Sequence, residues 1–140
     1  MAQVTFTAYA QPQPQGSMRK VRNRRTGEII LTSDNRNLKP YREEVTRAAR
    51  QALHAAGLAE PMAAKHVPVA ITFVFTLRRP AHCPKGRTEP VVKPDLSKLV
   101  RATEDAMTGF IYHDDAQIVQ MVAEKHYGAV ERVTVHAHTL

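Results

Sequence analysis

Lys93-Pro94-Asp95-Leu96-Ser97-Lys98-Leu99-Val100-Arg101 is the stretch from which the architecture of this 140-residue chain can be read. Its apolar positions run on at helical spacing, because Leu96, Leu99, Val100, Thr103 and Met107 form one stripe that must face a core. Ser97, Arg101, Glu104 and Asp105 take the opposite side. Asp95 follows Pro94 where the helix starts, and an Asp there is an ordinary cap for the free backbone amides. A competing reading comes from Asp114-Asp115, which follow a glycine stop at Gly109 and directly precede the strand-like Ile118 to Ala123. A strand start and a helix start can converge at one edge of a sheet. Carboxylates gathered there would repel and hold raised pKa values unless a cation bound them, which suggests Mg²⁺, with Mn²⁺ as a possible substitute.

Outward from this segment the pattern alternates between strands and helices. Val4, Phe6 and Ala8 alternate with polar residues and open the chain with a half-buried strand. Gln11-Pro12-Gln13-Pro14-Gln15-Gly16 is loop chemistry, and it leads into Arg19, Lys20, Arg22, Arg24 and Arg25. That many cations cannot pack in a core, so the segment is expected to be a loop that is either a solvated tip or a clamp on phosphates, with the clamp favoured by the overall charge. Glu28 to Thr32 gives a short strand and Ser33-Asp34-Asn35 a turn. From Pro40 to Ala56, Tyr41, Val45, Ala48, Ala49, Ala52 and Leu53 recur at helical spacing, with Gly57 as the stop. Val67 to Leu77, rich in β-branched and aromatic residues, is the candidate central strand. The segment from Pro80 to Val92 reads as a long surface loop whose Lys85 and Arg87 extend the basic surface. Val130 to Ala137 is the last strand, after a closing hairpin near Tyr127-Gly128. The expected fold is α+β in the order β-β-α-β-α-β-β, a mixed sheet with two helices packed on one face, in a single domain spanning residues 1–140.

Composition narrows the function. Lys and Arg number 20 against 13 Asp and Glu, a formal net charge of +7 that favours a polyanionic partner through counterion release. An acidic cluster inside a basic protein is the pattern of a nuclease. No apolar run approaches the roughly 20 residues of a membrane span, and the N-terminus lacks the basic and apolar regions of a secretory signal, so a cytoplasmic protein is expected. Cys83, the one cysteine, has no disulfide partner in the chain and reads as a loop bystander. His136 and His138 alternate on the last strand and read as a polar face, and His113 as a solvated loop residue.

KPDLSKLVRATEDAM, then HDDAQIV and the downstream EKHYG, resembles in order and over most of the chain the RusA family of Holliday junction resolvases. That family's signature resembles Lys-Pro-Asp-x-Asp-Asn-Leu-x-Lys, a later Asp-Ala-Leu, then Asp-Asp-x-Gln-Val and a Lys-containing strand. Here Asp95, Leu99, Asp105-Ala106, Asp114-Asp115 and Gln117 stand in those places, and Gln13 to Arg19 resemble a Pro-Lys-Gly-Arg-Pro-Arg loop.

The resemblance implies a homodimeric, Mg²⁺-dependent endonuclease that cuts branched DNA, the four-way junction, by paired symmetric nicks in recombination, repair or phage DNA processing. It implies Asp95 and Asp115 as catalytic metal ligands with Ser97 at the remaining ligand position, and Asp114 beside them is a further candidate ligand. Ser97 stands where the family has a second aspartate, and a neutral hydroxyl binds Mg²⁺ weakly. Arg101 stands for the functional lysine and keeps its charge with a different geometry. DNA contacts fall to Arg19, Lys20, Arg22, Arg24, Arg25, Lys93, Lys98 and Lys125. Asp114 or Glu104 are the candidates to supply the missing carboxylate. A catalytically silent junction-binding protein of the same fold is the alternative, and a general basic nucleic-acid-binding module the third class.

Overall fold

Side chains that alternate in and out build a sheet before any helix covers it. The computed structural model describes residues 1–16, 18–33 and 35–140, and among these the side chains of all but 18–20 and 30–33. The elements are β1 (Gln3–Ala8), β2 (Met18–Arg22), β3 (Ile29–Ser33), α1 (Leu38–Ala55), β4 (Val69–Leu77), α2 (Leu96–Met107), β5 (Ile118–Tyr127) and β6 (Arg132–Thr139), with a 3₁₀ turn at Asp115–Gln117 leading into β5. Four strands form a mixed sheet in the order β1-β6-β4-β5, with β4 and β5 parallel and the other pairs antiparallel. Register sets Phe6, Val135, Phe73 and Ala123 in one row across it. That face is the core. Both helices cover it with Tyr41, Val45, Ala49 and Leu53 of α1 and Leu99, Ala102, Thr103 and Met107 of α2. The architecture is therefore the α+β mixed sheet expected, with both helices on one face.

Thr103 shows how a polar residue joins the apolar stripe. Its hydroxyl is fully buried, donates to the Leu99 carbonyl at 2.8 Å and takes a 2.8 Å bond from the Tyr41 hydroxyl, so no polar atom is orphaned. Burial holds the Tyr41 phenol well above its ordinary range. The bond joins the two helices.

Two expectations are corrected. The basic segment predicted as a loop is in part strand, because β2 pairs antiparallel with β3 in a separate two-stranded sheet, giving six strands among the described residues rather than the five expected. A strand needs only backbone pairing, so an arginine-rich stretch carries no alternation to announce it. Its turn is closed by Asn23, whose carbonyl accepts from Gly27 at 2.7 Å and whose side chain accepts from Arg25 at 2.9 Å. Arg22, Arg24 and Arg25 are exposed at the tip of this arm. Arg19 and Lys20, the other cations of the expected clamp, have side chains outside the described residues.

The closing hairpin is also absent, since β5 and β6 lie on either side of β4 and do not pair. Residues 128–131 carry the chain about 10 Å over the end of β4, the width of two strand spacings. Gly128 makes this crossing possible. Its amide donates to the Leu77 carbonyl at 2.9 Å, and a Cβ built there would lie 2.5 Å from Thr76 Cγ2. Gly128→Ala is expected to cost about 1–3 kcal/mol by overpacking, visible as a lower melting temperature. An unchanged melt would show that the connection can lift off β4.

Candidate functional site

Asp95 occupies the N-cap position of α2, and its side chain caps nothing. Its backbone carbonyl accepts from Lys98 and Leu99, both at 3.1 Å, while the carboxylate makes no capping bond and is 54% exposed. Lys98 Nζ lies 3.9 Å from it. A carboxylate left open at a helix start, without the bond that would explain it structurally, is free for a ligand.

It faces a pocket of about 680 Å³ at the C-terminal ends of β4 and β5. Arg78, Lys93 and Lys98 line that pocket with Asp95, and the Gln11–Gly16 loop forms part of its wall. The loop is tied to α2 by the Gln15 amide, which donates to the Lys98 carbonyl at 3.0 Å. Tyr127 also lines the pocket, and its hydroxyl is shut off from solvent with no partner. Such an orphan costs about 1–3 kcal/mol, which a bound ligand or water offsets. Sequence reading passed over Arg78, Tyr127 and the glutamine–proline loop in this role. The stiffness of Pro12 and Pro14 was the available signal.

Lys125 is held by the protein itself. Its ammonium donates to the Val92 and Pro94 carbonyls, both at 2.9 Å, and so pins the segment that carries Lys93 and Asp95. Lys125→Met keeps the stem and removes both bonds. It is expected to lower any turnover at the Asp95 pocket about tenfold while leaving the salt dependence of polyanion binding unchanged. A phosphate-contacting lysine would instead reduce that salt slope by about one.

The other carboxylates lie at the far end of the same crossover. Asp115 precedes Ile118, which pairs with Val69 at the start of β4, whereas Tyr127 pairs with Leu77 at its end beside the Asp95 pocket. β5 is 10 residues long, so about 30 Å of strand separates the two ends. The helix and strand starts do not converge within one chain, because a βαβ crossover runs its helix antiparallel to both strands. Among the described residues no three His, Cys, Asp or Glu side chains are grouped to hold a metal ion. Among the described residues of one chain, Asp95 and Asp115 therefore do not meet.

At this end the two aspartates differ. Asp114 caps the 3₁₀ turn by accepting from the Ala116 amide at 2.9 Å, and that bond holds its pKa down. Asp115 is exposed, and a hydrogen bond with the Asp114 side chain, then burial and charge, raises its pKa. Gln117 locks the turn, donating to the Ala64 and Val67 carbonyls at 2.9 and 3.0 Å. Glu104 is raised chiefly by burial, then by the charges of Asp115 and Asp105, against the pull of Arg101. Glu104 thus lies near Asp115, with Arg101 beside it. Ser97 is exposed one helical turn before Arg101 on the same face.

A raised folded pKa means that stability is lost as pH rises through it. Glu104→Gln is therefore expected to raise the melting temperature at pH 7, with the gain closing as pH falls below the ordinary glutamate range. A gain that persists at pH 3 would trace to packing instead.

The family model for Endodeoxyribonuclease RusA matches residues 10–137. The chain belongs to the RusA family. RusA endodeoxyribonucleases act on DNA, and the match covers both the Asp95 pocket and the Asp115 turn. The chain is also 27% identical over 136 residues to the "Uncharacterized protein YqaN" of Bacillus subtilis (strain 168), spanning 94% of this chain and 93% of that protein. No helix among the described residues is long and apolar enough to cross a membrane. Cys83 is free and buried.

Proposed function

We propose that this RusA-family endonuclease resolves DNA four-way junctions by paired symmetric nicks, as a homodimer that requires Mg²⁺. The observation that carries the reading is the exposed, uncapping carboxylate of Asp95 in a pocket walled by Arg78, Lys93 and Lys98. An acid there would serve no structural end, whereas cations on either side hold the phosphates of a nucleic-acid backbone. When bound, a divalent cation supplies Lewis-acid polarisation of the phosphate and a more acidic water.

The chain's own residues do the rest. Lys93 and Lys98 hold phosphate oxygens beside Asp95, and Lys125 positions that segment through its two carbonyl bonds. Arg22, Arg24 and Arg25 extend the contact along a DNA arm, adding affinity without sequence information. A two-fold dimer would match the near two-fold symmetry of the junction. The four-way junction is what we propose as the preferred form of branched DNA.

Ser97 favours a second reading. It stands where the family carries an aspartate, and one fewer negative charge weakens a Mg²⁺ site, so a silent junction-binding protein of the same fold is the alternative. The test is cleavage of a labelled four-way junction beside a linear duplex of the same arms, with Mg²⁺, Mn²⁺ or EDTA. Paired nicks confined to the junction and dependent on the cation support the nuclease. Tight junction binding with no cleavage in any cation selects the silent binder, and equal binding to junction and duplex rejects both.

A further inference from the structure

We infer that His136 and His138, two residues apart on β6, chelate a Zn²⁺ ion on the face of the sheet that the helices leave open. The site lies outside the Asp95 pocket and does not rest on the nuclease reading. Both helices pack on one face, so alternate residues of β6 turn to the other. Val133, Val135 and Ala137 are buried beneath the helices, and Thr134, His136 and His138 stand half-buried on the open side.

The rings are spaced for one ion. Their centres lie 5.6 Å apart with the planes tilted by 39°. Zinc held by nitrogens at about 2.1 Å sits about 3.2 Å from each ring centre, and a tetrahedral angle then sets the two centres about 5.3 Å apart. A right angle, as in square-planar Cu²⁺ or Ni²⁺ sites, brings them to about 4.6 Å. The observed spacing matches the tetrahedral ion, which favours zinc. Gln3, Thr5 and His136 also line a recess of about 500 Å³ at the β1 edge, room for the waters that complete the ion's four positions.

A ligating histidine carries its other ring N–H on a hydrogen-bond acceptor, which fixes the tautomer. His136 has that partner. Its Nδ1 lies 2.7 Å from Thr5 Oγ1 on β1, and a hydroxyl that accepts there leaves Nε2 with its lone pair for the ion. Among the described residues His138 makes no side-chain hydrogen bond, so no partner holds its nitrogens from a metal. His126 is the contrast, because carboxylates take both of its nitrogens, Glu124 at 2.6 Å and Glu89 at 3.3 Å. Charge favours the pair as well. The cross-strand neighbours of His136 are Thr5 and Thr72, and those of His138 are Gln3 and Ala70, so in a chain of net charge +7 a cation meets no like charge beside it.

The test uses the full chain without a polyhistidine tag, in excess Mg²⁺ so that carboxylate sites for hard cations are filled. Calorimetric titration with Zn²⁺ should show one ion per chain. His136→Gln and His138→Gln should each weaken that binding about tenfold or more, and His126→Gln should leave it unchanged. Zn²⁺ should raise the melting temperature of the unsubstituted chain and of His126→Gln, and of neither other variant. Co²⁺ in place of Zn²⁺ should give the strong visible bands of a tetrahedral ion. The unsubstituted chain also answers by itself, because two of its seven imidazole signals should move together in proton magnetic resonance as Zn²⁺ is added. Binding that survives the loss of either histidine, the weak bands of an octahedral Co²⁺ ion, or a Zn²⁺ titration in which fewer than two imidazoles respond would overturn the proposal.

Discussion

Replacing Asp95 by Asn should reduce junction cleavage about a thousandfold while leaving junction affinity unchanged or slightly raised. A thousandfold is about 4 kcal/mol of transition-state stabilisation, the scale of a group that works in a metal-assisted phosphate site. Binding is expected to survive because phosphate contacts set affinity, and Arg22, Arg24, Arg25, Lys93 and Lys98 are untouched by the change. Removing a negative charge from a surface that meets DNA can only ease binding. Folding is expected to survive as well, since the carboxylate caps no amide and is more than half exposed. The measurement is single-turnover cleavage beside a binding isotherm and a thermal melt for each protein. A variant that melts early would return Asp95 to the role of a helix cap. One that cleaves at the wild-type rate would remove Asp95 from the chemistry.

Phe73→Ala carries the largest expected cost in stability. Phe73 stands on the central strand β4, fully buried, in the row with Phe6, Val135 and Ala123 and with its ring 6.0 Å from that of Phe75. Its neighbours are held in register on both sides, so they cannot collapse into the space that a lost ring leaves. The cost is about 3–5 kcal/mol from lost transfer energy and residual cavity, a third or more of the stability of an ordinary domain. That corresponds to a fall of about 10–20 °C in melting temperature. Denaturant unfolding should show the midpoint shifting with little change in slope, whereas a loss under 1 kcal/mol would mean that α1 and α2 settle onto the sheet.

Each element that carries its own period was legible. The α2 stripe is buried as its spacing requires, at Leu99, Val100, Thr103 and Met107, and β1 alternates as Val4, Phe6 and Ala8 demand. Where two backbones supply each other's hydrogen bonds and no side-chain pattern is needed, the signal vanished. β2 is the instance, an arginine-rich strand held by β3. Strand order was equally hidden. Tyr127-Gly128 reads as a hairpin because chain neighbours usually pair, and only the packed molecule shows β4 lying between β5 and β6.

The sequence by itself determined both helices and the strands that carry their own pattern, the basic surface and the RusA resemblance, because each depends on residue chemistry or on a period repeated along the chain. It also singled out Asp95 and Asp115 as candidate acids. Only the tertiary structure decided that Asp95 caps no amide, that Asp114 is engaged as a turn cap and that Lys125 pins the Asp95 segment. It alone set Asp95 and Asp115 at opposite ends of one crossover. The reason is physical: spacing in a sequence fixes the face of an element on which a residue lies, whereas distance between elements follows from their direction in the sheet, which packing and strand pairing decide together.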